Sequence, residues 1–274
     1  MTAPASRGVH WRDGGHGPAL VLLNGWSASG ISWPSEWLRG LKTRYQVIRI
    51  DNRGSGWSRH APTPFTMADL ADDVASVLDE AEIERATVFG LSMGGMIAQE
   101  FAMRSPERLV GLVLAATAPP MPAYRPRTSG GMAWALMRPV RRHETLEEYF
   151  RSLWSTAVGE GFAAQSPEIL DELVAQIVQR PTPRAMLVHQ LRAVVGWGHA
   201  ERLARVDCPT VVVHGTEDSF IDVSAGRRLA ELIPSCRFVE LPKVGHLIAH
   251  EAPEVAAELI DSVAIGHDVR AVAT

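Results

Sequence analysis

At 274 residues, with 46% hydrophobic and 21% charged side chains, the chain has the size of one large domain or one domain carrying an insertion. A formal net charge of −4 and a pI near 6.2 argue against a nucleic-acid or anionic-membrane partner. The longest apolar stretches, such as "RLVGLVLAATAPP", are too short and too broken by proline to span a bilayer, and the N-terminus lacks the apolar core of a secretory signal, so a cytoplasmic location is expected. Only Cys208 and Cys236 could pair, which makes no disulfide framework, and buried free thiols are the expectation.

In chain order, "PALVLLNG" is a continuous apolar run ending in Asn-Gly, as befits a strand buried on both faces. "YQVIRIDNRG" is a second strand, closed by Arg53-Gly54. "TMADLADDVASVLDEA" predicts a helix, with Thr66 and Asp69 as a capping box and Leu70, Val74, Val77 and Leu78 on one face. "RATVFG" is a third strand, "MGGMIAQEFAMRSPE" the helix that follows it, and "RLVGLVLAATA" a fourth strand, after which Pro119 and Pro120 stop the pattern. From about 119 to 205 the chain turns rich in Pro, Arg, Met and Trp, and carries the helical segments "LEEYFRSLWSTAV", "SPEILDELVAQIVQR" and "AMLVHQLRAVVGW". No β-branched run interrupts it, which predicts an inserted helical cap over 119–205 on a core made of 1–118 and 206–274. The alternation resumes with the strand "CPTVVVHGTED", the helix "VSAGRRLAELI", the strand "CRFVELP" and a last helix from about Pro253 to Ile265. Strands alternating with helices predict an α/β fold around a mostly parallel twisted sheet.

Chemistry concentrates first at Gly90-Leu91-Ser92-Met93-Gly94-Gly95. A nucleophile on a tight strand-to-helix turn crowds the residues two before and two after it, and glycine at both places relieves the crowding. The G-x-S-x-G pattern alone also describes an ordinary glycine-rich turn, but here a strand precedes it and a helix follows. A serine hydroxyl needs a base within hydrogen-bond reach, itself oriented by a third group. "VVVHGTEDSFID" supplies an acid after a strong β run, with Glu217, Asp218 and Asp222 as candidates. "LPKVGHLIAHEAPE" supplies a histidine after the next strand, with His246 and His250 as candidates.

With those residues in view, the chain resembles the α/β-hydrolase superfamily, in its branch of small bacterial serine esterases, lactonases and perhydrolase-like enzymes. The resemblance covers about 17–118 and 206–265. It rests on Asn24-Gly25-Trp26, the D-x-R-G-x-G-x-S run from Asp51 to Ser58, the turn at Ser92, "HGTED" ending at Asp218, and "GHLIAHEAP" beginning at Gly245. It implies Ser92 as nucleophile, Asp218, the last residue of H-G-x-x-D, as orienting acid, and His246, aligned by G-H-x-x-x-x-E-x-P, as general base. It further implies an oxyanion hole from the backbone N–H groups of Trp26 and Met93. The chain departs from the family's His-Gly at Asn24, whose side chain can shape the same loop. The Asp51–Ser58 run is expected to build a turn near the site, and His214 to be a structural hydrogen-bonding residue.

Serine at 92 argues against the dehalogenase and epoxide-hydrolase branches, whose nucleophile is a carboxylate. No zinc-ligand cluster, P-loop or dinucleotide fingerprint is present in the sequence, so neither a metal nor a cofactor is expected. The expected activity is hydrolysis of a small or medium carboxylic ester or lactone through an acyl-enzyme on Ser92. The same triad would also serve a C–C bond hydrolase, a perhydrolase, an acyltransferase or a slow-turnover ligand sensor. Met132, Trp134, Met137, Trp154 and Trp197 are candidates for lining an apolar substrate pocket, with ordinary packing within the cap as the alternative for each. The expected partner is a small-molecule ester or lactone, and the sequence does not specify an oligomeric state.

Overall fold

A computed structural model describes residues 8–124, 137–234 and 236–264. Seven strands among them form one sheet in the order β1-β3-β2-β4-β5-β6-β7. Six are parallel: β2 (Ala19–Leu23), β3 (Gln46–Ile50), β4 (Ala86–Leu91), β5 (Leu109–Ala115), β6 (Thr210–Gly215) and β7 (Arg237–Leu241). The exception is β1 (Trp11–Arg12), antiparallel on the outer edge of β3.

The period-2 alternation of strand side chains divides the core into two layers. Val21, Leu23, Ile48, Ile50, Val88, Leu112, Leu114 and Val212 point to one face, under α2 (Met67–Glu80), α3 (Met93–Arg104) and α8 (Val223–Leu232). Leu20, Leu22, Val47, Phe89, Leu91, Val113 and Val213 point to the other, under α1 (Ser35–Lys42), the short α9 (Ile248–Glu251) and α10 (Pro253–Ala264). Helices on both faces explain why the central strands read as unbroken apolar runs rather than alternating ones. The capping box of α2 is formed as expected: Asp69 N–H donates to Thr66 Oγ1 at 3.2 Å, and Thr66 N–H to Asp69 Oδ2 at 2.9 Å.

Between β5 and β6 the described residues hold α4 (Leu146–Ser155), α5 (Phe162–Gln165), α6 (Pro167–Gln179) and α7 (Arg184–Val195), and no strand. Their buried side chains, among them Phe150, Trp154, Leu173 and Leu187, belong to the same apolar cluster as α2 and α3. This helical segment therefore packs on the core rather than standing apart from it.

Among the elements without a counterpart in the sequence reading are β1 and α1, besides the single-turn helices Phe162–Gln165 and Ile248–Glu251. The two-residue β1 is too short to show a period, and pairing with β3 alone creates it. Helix α1 buries only Trp37, Leu38 and Leu41 and follows directly on Pro34, so its short apolar stripe passed for loop. Cys208 and Cys236 are unpaired and partly buried. No helix among the described residues is long and apolar enough to cross a membrane.

Candidate active site

Ser92 stands between β4 and α3 with φ 56° and ψ −120°, a conformation that costs a non-glycine residue energy unless its surroundings hold it. Four hydrogen bonds hold it, one of them from Met96 N–H to its carbonyl at 3.2 Å. Its N–H donates to Ala115 O at 2.9 Å, and its carbonyl accepts from Thr117 Oγ1 at 2.7 Å and from Gly95 N at 2.9 Å. The flanking glycines are required by close approach. A Cβ on Gly90 would stand 2.5 Å from Gly94 O, and one on Gly94 would collide with the carbonyl oxygen of Leu23.

The acid and the histidine come from the ends of β6 and β7. His246 Nδ1–H donates to Asp218 Oδ2 at 2.8 Å, which leaves Nε2 without a proton and free to act as a base. Asp218 Oδ1 accepts from the N–H groups of Phe220 and Ile221, at 2.8 and 2.9 Å. His214 Nε2 lies 3.1 Å from Asp218 Oδ2 and 2.8 Å from Ile221 O; both are acceptors, so this nitrogen carries the proton. Burial works against the charge on Asp218, yet His246 and His214 outweigh it and hold its carboxyl below the usual carboxylate range. The rival acids are engaged elsewhere: Asp222 caps α8 by accepting from Ser224 N–H, and Glu217 accepts from Glu160 N–H.

Ser92 and His246 line one small cavity together with Asn24, Gly25, Trp26, Trp154, Leu173 and His250. The loop after β2 runs directly beside the serine, since a Cβ on Gly25 would stand 3.1 Å from that of Ser92. Among the described residues, the backbone N–H groups of Trp26 and Met93 are bonded to no protein acceptor. Asn24 shapes this loop from within: its Oδ1 accepts from Gly25 N–H at 2.8 Å and its Nδ2 donates to Ser29 O at 3.1 Å. The Asp51–Ser58 run braces it from outside. Gly30 N–H and Trp57 N–H donate to Asp51, and Arg53 forms a buried two-bonded pair with Asp73 on α2.

A family model described as the alpha/beta hydrolase fold matches residues 18–253. The chain belongs to that family. Among its relatives, rhodomycin D methylesterase DauP of Streptomyces sp. strain C5 is 29% identical over 88% of this chain and 91% of its own. 3-Oxoadipate enol-lactonase 2 of Acinetobacter baylyi is 26% identical, covering 90% of this chain and 88% of its own. A solved structure of a hydrolase from Pseudomonas aeruginosa superposes with a TM-score of 0.79 at 29% identity, covering 97% of this chain and 98% of that one.

In this α/β-hydrolase the helical segment is tied to the site at two places that the sequence reading missed. Gln190 on α7, fully buried, accepts from Ser27 N–H at 3.3 Å and donates to Arg53 O and Ser55 Oγ at 2.8 and 3.0 Å. With Trp26 Nε1, which donates to Leu187 O at 3.1 Å, it fastens the loop after β2 under α7. Glu251 accepts from the N–H groups of Gly245, Leu247 and Gly159, so one carboxylate joins the His246 loop to the chain beyond α4. His246 N–H itself donates to Ala157 O at 2.6 Å. A lone glutamine in an apolar helix was the only sequence signal for Gln190. The G-H-x-x-x-x-E-x-P pattern assigns Glu251 to the start of the last helix, not to the loops that it joins.

Of the aromatic candidates, Trp154 lines the cavity. Trp197 is buried with its Nε1–H donated to Glu100 on α3 at 3.0 Å, and is not among that cavity's lining residues. Met137 packs against the core cluster. Met132 and Trp134 lie outside the described residues. No group of His, Cys, Asp or Glu among the described residues could hold a metal ion.

Proposed function

We propose that this α/β-fold hydrolase, of the carboxylic ester type that its relatives represent, cleaves a small or medium ester or lactone through an acyl-enzyme on Ser92. The observation that carries the reading is the His246–Asp218 bond at 2.8 Å, together with a serine held at a strained strand-to-helix turn, Ser92 and His246 lining one cavity. His246 Nε2 takes the proton of the Ser92 hydroxyl as its oxygen attacks the substrate carbonyl. The negative oxygen of the tetrahedral intermediate accepts from the N–H groups of Trp26 and Met93. These donors are already positioned, so no reorganisation opposes the step. His246 then hands its proton to the leaving alkoxide, and in the second half it activates a water that frees the acid from Ser92. Asp218 keeps the imidazole in the tautomer this cycle needs and stabilises the imidazolium.

Residues 119–205 serve as the cap of the site. The ties from Gln190 and Glu251 support this role, because they make the cap part of the loops that carry the oxyanion donors and the base. The reading is tested with activated aryl esters and lactones in large molar excess. Sustained turnover is expected, and His246→Ala should lower kcat by about 10³-fold or more. A single burst equal to the enzyme concentration would instead mark a ligand sensor that keeps the triad without turning over.

A further inference from the structure

Strand β6 ends in His214-Gly215, and the turn beyond it brings Asp218 back beside the His214 ring. That ring is fully buried. Its Nε2–H donates to Ile221 O at 2.8 Å and stands 3.1 Å from Asp218 Oδ2, the oxygen that also accepts from His246 Nδ1. Ile221 closes the loop of contacts, since its N–H donates to Asp218 Oδ1, as does that of Phe220. Four N–H groups thus surround a carboxylate with about four lone-pair sites and fix its plane. The ring has no room to retreat. A Cβ on Gly226 of α8 would stand 2.7 Å from His214 Nδ1, so the helix backs directly onto it, and Nδ1 itself has no hydrogen-bond partner.

We propose that His214 is a positioning residue of the triad, which holds Asp218 with Oδ2 towards His246 and, by its own N–H, limits how strongly that oxygen stabilises the His246 imidazolium. The proposal rests on the Ser92 hydrolase reading and assigns the residue that tunes its base. An N–H beside Oδ2 draws negative charge towards itself, and less is left to hold the second proton on His246. With a side chain at 214 that donates nothing, the whole of that charge would act on His246, and the base would keep its proton to a higher pH. The other charged groups around the pair are engaged independently of His214. Glu251, which faces His246 from α9, accepts from Gly245 and Leu247 N–H. Glu240, opposite His214 on β7, pairs with Arg227 of α8 at 2.6 Å. Glu217 accepts from Glu160 N–H, and Asp222 caps α8. The ring stacked on His246, Phe220 at 5.2 Å between centroids, is neutral.

The test is the pH dependence of kcat/KM for one activated aryl ester, because its acid limb reports the base of the free enzyme. His214→Leu, similar in size but without a donor, should move that limb to higher pH by about half a unit or more and lower the plateau by about 3-fold or more. His214→Gln, whose amide can offer an N–H near the place of Nε2, should return the limb towards that of the wild type. Thermal melts confirm that each variant is folded. A limb unmoved or moved to lower pH in folded His214→Leu would overturn the proposal, since loss of packing alone lowers stability and the plateau without raising the limb. A second measurement needs no variant. In the spectrum of wild-type enzyme labelled with 15N-histidine, the His214 proton is expected on Nε2, and a proton on Nδ1 would overturn the proposal whatever the variants do. Normal turnover with an unmoved limb removes the role of His214 alone. Absence of turnover by the wild type with every ester and lactone would overturn the hydrolase reading, and this role with it.

Discussion

At the scale of single residues, the strained backbone of Ser92 is bought with glycines and buried hydrogen bonds. A residue in this region costs of order 1–3 kcal/mol, and persists only where its neighbours over-determine it. Ala115, Thr117 and Gly95 do so here. Gly94→Ala should therefore destabilise the protein by about 2 kcal/mol or more, because its Cβ meets main chain that cannot step aside. Gly40→Ala provides the control. Gly40 lies on the exposed side of α1 with nothing within 4 Å of an added Cβ, so the change should stabilise by about 0.5–1 kcal/mol. Chemical denaturation of both variants reads the difference, and equal effects would contradict the packing account. Ser92, Asp218 and His246 stand out in the sequence as the candidate triad because such chemistry demands fixed residue types in a fixed order at strand ends, and the structure brings Asp218 and His246 into hydrogen-bond contact. His214 hydrogen-bonds as the sequence suggests, but neither its partner Asp218 nor the role of Thr117 was legible. Their roles arise from which loops meet in space, and nothing local in "AATAPP" or "VVVHG" distinguishes a bracing side chain from a passive one.

At the scale of elements, the site depends on α7 as much as on the strands that carry the triad. Gln190 connects the loop bearing Trp26 to the turn at Arg53–Ser55 through buried bonds to three partners. Gln190→Ala leaves those partners without it and frees the loop. We expect kcat to fall roughly 10- to 100-fold with a smaller change in KM, since the oxyanion donors proposed on this loop would act most strongly in the transition state. Steady-state kinetics on one aryl ester check this; a rise in KM at constant kcat would mean that Gln190 shapes binding instead. The same scale explains what could be read from sequence. The continuous apolar strands and the capped α2 announce themselves through local pattern. The short β1 exists only through its pairing with β3, and α1 has too few turns for a period to stand out.

At the scale of the whole molecule, the helical segment between β5 and β6 shares one apolar cluster and one carboxylate with the elements around the sheet, so the proposed catalysis and stability are linked through the same contacts. His250 makes that link sensitive to pH. Its ring stands between the site cavity and an outer groove of about 510 Å³ that carries Glu172, whose charge partly opposes the effect of burial. The folded-state pKa of about 4 lies below the ordinary histidine value of 6.5. Between those values the unfolded chain binds a proton that the folded chain refuses. Stability is therefore full above pH 6.5 and falls as the pH drops towards 4, by up to about 3 kcal/mol from this group. Melting curves over pH 4–7 should fall towards acid pH more steeply for wild type than for His250→Leu, which lacks this group; parallel curves would contradict it. The change of composition at Pro119 marks in the sequence where the strand–helix alternation gives way to the helical segment between β5 and β6. The bonds by which that segment holds the loops around Ser92 and His246 were not legible, because they join residues more than 90 positions apart.

The central claim, a covalent acyl-enzyme on Ser92, is tested most directly by mass. Enzyme quenched in acid during turnover of an activated aryl ester should carry the mass of one acyl group, on the peptide that contains Ser92, and Ser92→Ala should carry none and lose activity by about 10³-fold or more. An acyl group found on another residue, or undiminished turnover by Ser92→Ala, would contradict the account.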